Sequence, residues 1–256
     1  MIDVTVTDDA EAAAHTCAER IAAALDAARA QRGVAHVALA GGRTPARTYE
    51  LLPGLVADWR DVHLWFGDER CVPLDDPESN HNLLARTLLA GLDADPDRPR
   101  PIVHAVAATD GDPSVAAAGY ERELRATIAA DTAGGPASAG HVTGSGTPPP
   151  VLDLALLGLG EDGHTASLFP DDPALEERER LCIAVRGRKP PFERVTLTLP
   201  LLRATRAVVV LTAGEGKAWA VSAMLAGPSP RVPASLLADG AAVELIVDRD
   251  AAPQQR

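Results

Sequence analysis

The chain has 256 residues, 46% of them hydrophobic and 3% aromatic, and carries a formal charge of -12 at pH 7. That length and apolar content allow a full core in one domain. The acidic balance excludes a nucleic-acid backbone or an anionic membrane as partner, because both are bound through an excess of Lys and Arg.

The opening "MIDVTVTDDA" lacks the basic and apolar regions of a signal peptide, and no apolar stretch approaches transmembrane length, so a cytoplasmic protein is expected. Thr7, Asp8 and Asp9 introduce an Ala-rich helix running to about Gly33, with acids early and "ARAQRG" late. "VAHVALA" (34–40) reads as a strand, "GGRTP" as a tight turn, and "ARTYELL" as a helix capped by Thr44 with Pro45 at its first position. "VHLWF" (62–66) is a strand, followed by the polar loop "GDERCVPLDDPESNH" and a helix through "LLARTLL". "IVHAV" (102–106) reads as a strand, and "PSVAAAGYERELRATIAA" has helical spacing. The low-complexity segment 131–150 has almost nothing to bury and reads as a surface loop inserted in one domain. Strands resume at "VLDLALL", "LCIAV" (181–185), "RVTLTL" (194–199) and "AVVVLTA" (207–213). A helix from about Glu215 to Leu225 and the strand "VELIVD" (243–248) complete the pattern. The alternation predicts an α/β fold, a mostly parallel sheet with helices on both faces, in a single domain over 1–256. Cys17, Cys71 and Cys182 are far apart and odd in number, so neither a disulfide framework nor a zinc site is indicated.

The stretch "GLGEDGHTASLFP" (158–170) satisfies G-x-G-x-x-G through Gly158, Gly160 and Gly163. A nucleotide fingerprint is disfavoured, because Glu161 and Asp162 would face the phosphates and Pro170 would interrupt the helix such a motif needs. What remains is Asp162-Gly163-His164, an acid and an imidazole on a flexible turn at a strand's carboxyl end, where open α/β sheets place their chemistry. His164 reads as a general base. Three further loops are expected to converge on it. Gly41, Gly42, Arg43 and Thr44 offer free backbone amides at a helix N-terminus to an oxyanion. Asp68, Glu69 and Arg70 follow a buried strand. "RGRKPPFERV" concentrates Arg186, Arg188, Lys189 and Arg194 as an anion clamp in a net-acidic chain. His15, His36, His63, His104 and His141 read as structural or solvated, Lys217 as a stabiliser of its own helix start in preference to a residue facing the cleft, and Trp65 and Trp219 as packing residues.

Taken together, "AGGRTPARTYELL", "WFGDERCVPLDDPESNHNLLARTLL", "LDLALLGLGEDGHTASLFP", "RKPPFERVTLTLPLL" and "GEGKA", in that order, resemble the 6-phosphogluconolactonases across nearly the whole chain. The resemblance implies a Rossmann-like single domain, no metal or organic cofactor, a sugar-phosphate lactone as the small-molecule partner, and a monomer or small homo-oligomer. It implies hydrolysis of 6-phospho-D-glucono-1,5-lactone by water that His164 activates, with Asp162 orienting the imidazole and Arg70 stabilising the oxyanion. Gly41, Gly42, Arg43, Thr44, Asp68, Lys189 and Arg194 would bind substrate, most of them through its phosphate. The related amino-sugar-phosphate deaminases carry a glutamate five residues after the His; here that residue is Phe169. A non-catalytic sugar-phosphate sensor would keep the phosphate loops but could dispense with His164 and Asp162. Ala40 stands where the family often has Ser, and the 131–150 insertion is longer than usual.

Overall fold

The computed structural model describes residues 1–107, 111–133 and 150–253. The inserted segment therefore falls, from 134 to 149, outside the described residues, as does His141, whereas 131–133 continue a helix. In chain order the first half consists of β1 (Ile2–Thr7), α1 (Ala10–Arg32), β2 (Ala35–Leu39), α2 (Arg43–Leu55), β3 (Val62–Phe66) and β4 (Asp68–Arg70). Next come α3 (Asn80–Leu84), a π-wound turn at Ala85–Leu89, α4 (Ala90–Leu92), β5 (Ile102–Val103) and α5 (Pro113–Ala133). The second half holds β6 (Leu154–Gly158), β7 (Cys182–Arg186), β8 (Glu193–Leu197), α6 (Leu199–Ala204), β9 (Ala207–Thr212), α7 (Ala218–Leu225) and β10 (Ala242–Asp248).

Seven of these strands pair in the order β1-β10-β9-β6-β2-β3-β5, every pairing parallel. Successive strand residues point to opposite faces, so the apolar runs feed two cores. Val37, Leu39, Leu154, Leu156, Val209 and Leu211 join the core beneath α1 and α2. Ala38, Ala155, Leu157, Val208 and Val210 join the other, which α5, α6 and α7 cover. α1 shows how local chemistry sets an element: Asp9 accepts from the Ala12 amide at 2.8 Å, and Gly33 ends the helix in the left-handed region at φ 80.

Several readings of the chain need correction. "IDVTVT" forms the edge strand β1, parallel to β10, in a stretch for which no strand was expected. α2 starts at Arg43 with Gly42 as its cap at φ 104, so Thr44 does not cap it and Pro45 is not its first residue. The glycine turns the chain into the helix two residues earlier than the proline signal suggested. The polar loop after β3 contains β4. "LCIAV" and "RVTLTL" lie outside the parallel sheet, in a second sheet ordered β4-β8-β7 with antiparallel pairing. The link between them, Gly187 to Phe192, suits a hairpin and is far too short for a parallel crossover, which takes about a dozen residues. Trp65 is fully buried as expected, but Trp219 is 60% exposed and packs little.

One buried carboxylate pins the amino-terminal edge of the sheet. Asp153 accepts from the His36 amide at 2.8 Å and faces Arg32 at 2.5 Å and Arg206 at 3.3 Å. Asp153→Ala should lower stability by about 1.5–3 kcal/mol, the usual worth of hydrogen bonds to a charged group. Urea unfolding checks this, with a lower midpoint expected at an unchanged slope. A wild-type midpoint would show that the contacts contribute nothing net.

Candidate active site

The carboxyl ends of β2, β3 and β6 lie side by side, and buried polar contacts draw their loops together. After β2, the Ala40 carbonyl accepts from the Tyr49 hydroxyl at 2.6 Å. Gly41 follows, where a Cβ would come within 1.9 Å of Asn80 Oδ1, so only glycine fits. Asn80 opens α3 and donates through Nδ2 to the Asp68 carbonyl at 2.7 Å. Its own position is set by Glu69, a 1% exposed carboxylate accepting from the Asn80 and His81 amides, each at 2.8 Å, and from Ser79 Oγ at 3.1 Å. Burial raises the Glu69 pKa, with the amides of Asn80, His81 and Arg70 opposing it.

Asp68 carries the connection onward. Its Oδ2 accepts from Ser167 Oγ at 2.5 Å, and Ser167 Oγ in turn lies 3.4 Å from Arg194 Nη1 as acceptor. Arg194 also donates through Nε to the Pro191 carbonyl at 3.1 Å and through Nη2 to the Lys189 carbonyl at 3.2 Å. Its guanidinium therefore lies inward, against the hairpin turn, where burial pulls its pKa down while Asp68 pulls it up. Lys189 is exposed at the tip of that turn. Arg70 donates to the Glu78 carbonyl and lies 3.7 Å from the Glu78 carboxylate, with its Nε buried and without a partner. Gly42 is exposed at the start of α2, Arg43 is exposed beside it, and Thr44 is half-buried.

The turn after β6 is closed by backbone: Gly160 N donates to the His164 carbonyl at 2.8 Å and Gly163 N to the Gly160 carbonyl at 3.0 Å. Gly163 adopts φ 87, with Val232 packed against it. A Cβ on Gly160 would fall 2.0 Å from His164 Nδ1, so this glycine makes room for the imidazole rather than for a pyrophosphate. No helix follows the turn before the 3-10 segment at Pro173–Glu176, which removes the dipole end a nucleotide motif needs. His164 Nδ1 lies 2.5 Å from Asp162 Oδ1, and Arg188 Nη1 holds the other Asp162 oxygen at 3.3 Å. Burial raises the Asp162 pKa, but the His164 hydrogen bond and charge, with Arg188, outweigh it and leave the carboxyl below its ordinary value. With the proton on Nδ1 facing the carboxylate, His164 Nε2 presents a lone pair, and no described residue hydrogen-bonds it. The ring sits 5.1 Å from that of Phe169, a buried apolar wall.

The hairpin reaches this place from the second sheet, not as the end of a parallel strand, and Arg188 carries the contact. Lys217 also differs from expectation. Its Nζ donates to the Leu159 carbonyl at 2.8 Å and so braces the turn that bears the acid and imidazole. Burial lowers its pKa, with Glu161 and Asp162 pulling it back. Asn80 and Ser167 carry no signal in the sequence: Asn80 meets Asp68 from 12 residues away and Ser167 meets it from 99, neither a helical nor a strand spacing.

The family described as "Glucosamine-6-phosphate isomerases/6-phosphogluconolactonase" matches residues 8–246. The chain is 42% identical over 233 residues to a 6-phosphogluconolactonase of Streptomyces coelicolor, covering 88% of this chain and 83% of that one. It is 37% identical over 257 residues to a 6-phosphogluconolactonase of Mycobacterium tuberculosis, covering 97% and 96%. Among solved structures, the 6-phosphogluconolactonase of Trypanosoma brucei superposes with a TM-score of 0.79 at 28% identity, covering 98% of this chain and 97% of that one.

Because Gly160 has no room for a side chain, Gly160→Ala should push the imidazole off Asp162 without disturbing the sheet. Far-ultraviolet circular dichroism should match wild type, while the low-field proton resonance of a carboxylate-bound His164 Nδ1 disappears. A retained resonance would show that the ring keeps its place and that the close approach is not limiting.

Proposed function

The chain belongs to the glucosamine-6-phosphate isomerase/6-phosphogluconolactonase family as one of its lactone hydrolases, and we propose that it opens 6-phospho-D-glucono-1,5-lactone by water activated at His164. The observation that carries this reading is the Asp162–His164 pair, 2.5 Å apart, with the second imidazole nitrogen unpaired among the described residues. Water gives its proton to Nε2 as its oxygen attacks the C1 carbonyl, and Asp162 stabilises the imidazolium that results. The tetrahedral oxyanion collapses with cleavage of the bond from C1 to the ring oxygen, which takes the proton back from His164. The product acid then ionises to 6-phospho-D-gluconate in bulk water.

Arg70 is assigned to the oxyanion, where a preorganised cation acts on charge that develops only in the transition state. Its Nη1 is tied to the Glu78 carbonyl, so the guanidinium is held in place beside the strand end. The phosphate is assigned to the amides and side chains of Gly41, Gly42, Arg43 and Thr44 and to Lys189, with Arg194 shaping the hairpin that presents Lys189. Asp68 contributes by holding Ser167 and Asn80 rather than by meeting the lactone. The steps use neither metal nor organic cofactor. Phe169 supports hydrolysis over deamination, since an apolar ring stands where a relay carboxylate would be needed. Cys17, Cys71 and Cys182 are free thiols, which supports placement in the cytoplasm. Among the described residues no helix is long and apolar enough to cross a membrane.

His164→Ala is expected to lose about 10²–10⁴-fold in turnover of freshly generated lactone, after subtraction of spontaneous hydrolysis, while melting like wild type. Near-wild-type turnover would remove His164 from the role of base. Glucono-1,5-lactone without its phosphate should lose several powers of ten in kcat/KM, at about 1.5–3 kcal/mol for each charge-assisted contact forgone. Lys189→Ala should raise KM for the phosphorylated lactone and leave the residual rate on the unphosphorylated one unchanged. Equal losses on both would withdraw Lys189 from the phosphate site.

A further inference from the structure

His36 and His63 are register partners on β2 and β3, near the amino-terminal edge of the sheet and thus at the end opposite the lactone site. Both point toward α5, whose residue Asp131 meets them: Asp131 Oδ2 is 3.0 Å from His36 Nε2 and 3.8 Å from His63 Nε2. His36 is 4% exposed, yet neither its Nε2 nor Asp131 Oδ2 makes an aligned hydrogen bond. Buried polar atoms left unpaired are rare, and an ion is one of the few things that reconciles them.

The protons on this cluster can be traced from Glu123. Its Oε1 lies 2.6 Å from His104 Nδ1, so that nitrogen carries the proton and His104 Nε2 is bare. His63 Nδ1, 2.9 Å from His104 Nε2, must then be the donor between them, which leaves His63 Nε2 as a lone pair turned toward Asp131. A carboxylate that fixes an imidazole through its far nitrogen is the arrangement that orients histidine ligands in metal sites.

We propose that His36 Nε2, His63 Nε2 and Asp131 Oδ2 form a binding site for a zinc-type divalent ion, with Glu123 and His104 as its orienting groups. The three ligand atoms lie within 4.8 Å of one another. Ligands at about 2.0–2.2 Å from a tetrahedral ion are about 3.3 Å apart, so modest side-chain movement closes the set. Two imidazoles and one carboxylate suit zinc, cobalt(II) or nickel(II) better than magnesium or calcium, which take oxygen donors. The ion would clamp the carboxyl-terminal end of α5 to the sheet, and it has no part in lactone opening. Binding has one identifiable cost. Ligation through His36 Nε2 puts the proton on Nδ1, which now accepts from the Trp65 indole at 3.3 Å, so that contact must be given up.

The test is a titration of chelator-stripped full-length protein with zinc by calorimetry, and with cobalt(II) by visible absorption. About one ion per chain should bind, with a rise in melting temperature as expected for a ligand of the folded state alone. Asp131→Asn keeps the side chain's size at a partly exposed position and should abolish that binding while lactone turnover stays at wild type. Glu123→Gln should weaken binding about 10–100-fold through the relay, without removing a ligand. His164→Ala should bind zinc like wild type, which distinguishes this site from the pair at the other edge. Absence of saturable binding, unchanged affinity in Asp131→Asn, or loss of binding in His164→Ala would each overturn the assignment.

Discussion

A carboxylate taken out of water has to recover its lost hydrogen bonds from the protein, and at the carboxyl edge of the sheet Asp68 does so by recruiting other loops. Ser167 answers from the loop after β6, its hydroxyl also meeting Arg194 from β8, while Asn80 donates to the Asp68 carbonyl from α3 and fills the space beside Gly41 after β2. Segments that are distant along the chain are thereby fixed relative to one another by short polar contacts rather than by apolar packing, which tolerates sliding. A base and an oxyanion donor need just this kind of placement, since small misplacements are expensive in rate.

The same edge shows how a net-acidic protein can receive an anion. Asp162, a source of repulsion by charge alone, is matched by His164 and Arg188. Glu69 is spent on the amides that start α3. Asp162 and Glu69 are thus committed to internal partners, while Lys189, Arg43 and Gly42 are exposed to solvent. Arg194 belongs with the internal group: it is buried and donates to the Pro191 and Lys189 carbonyls of the hairpin turn.

The two edges of the parallel sheet differ in what they hold. The carboxyl edge ends in glycine-rich turns, where close approach of backbone and side chain is possible, as at Gly41 and Gly160. At the amino edge the strands place His36 and His63 beneath α5 with Trp65 stacked on His104 at 3.7 Å, a rigid polar cluster inside an otherwise apolar layer. A rigid pocket of that kind suits an ion that ties elements together, and the sheet between keeps it apart from the chemistry.

The sequence by itself determined the alternating elements, the parallel sheet with helices on both faces, and the Asp162-Gly163-His164 turn at a strand end. Those depend on periodicity and on residues close together in the chain, which is the information a linear pattern contains. Tertiary structure decided that Gly42 and not Thr44 starts α2, that "LCIAV" and "RVTLTL" leave the parallel sheet for a hairpin, and that Lys217 braces the Leu159 carbonyl instead of its own helix. It alone brought Asn80 to Asp68, Ser167 to Asp68 and Arg194, and Asp131 to His36 and His63. Each of these is a side-chain contact to a group whose separation along the chain gives no spacing signal, and burial, which makes such polar pairs obligatory, exists only once the chain has folded.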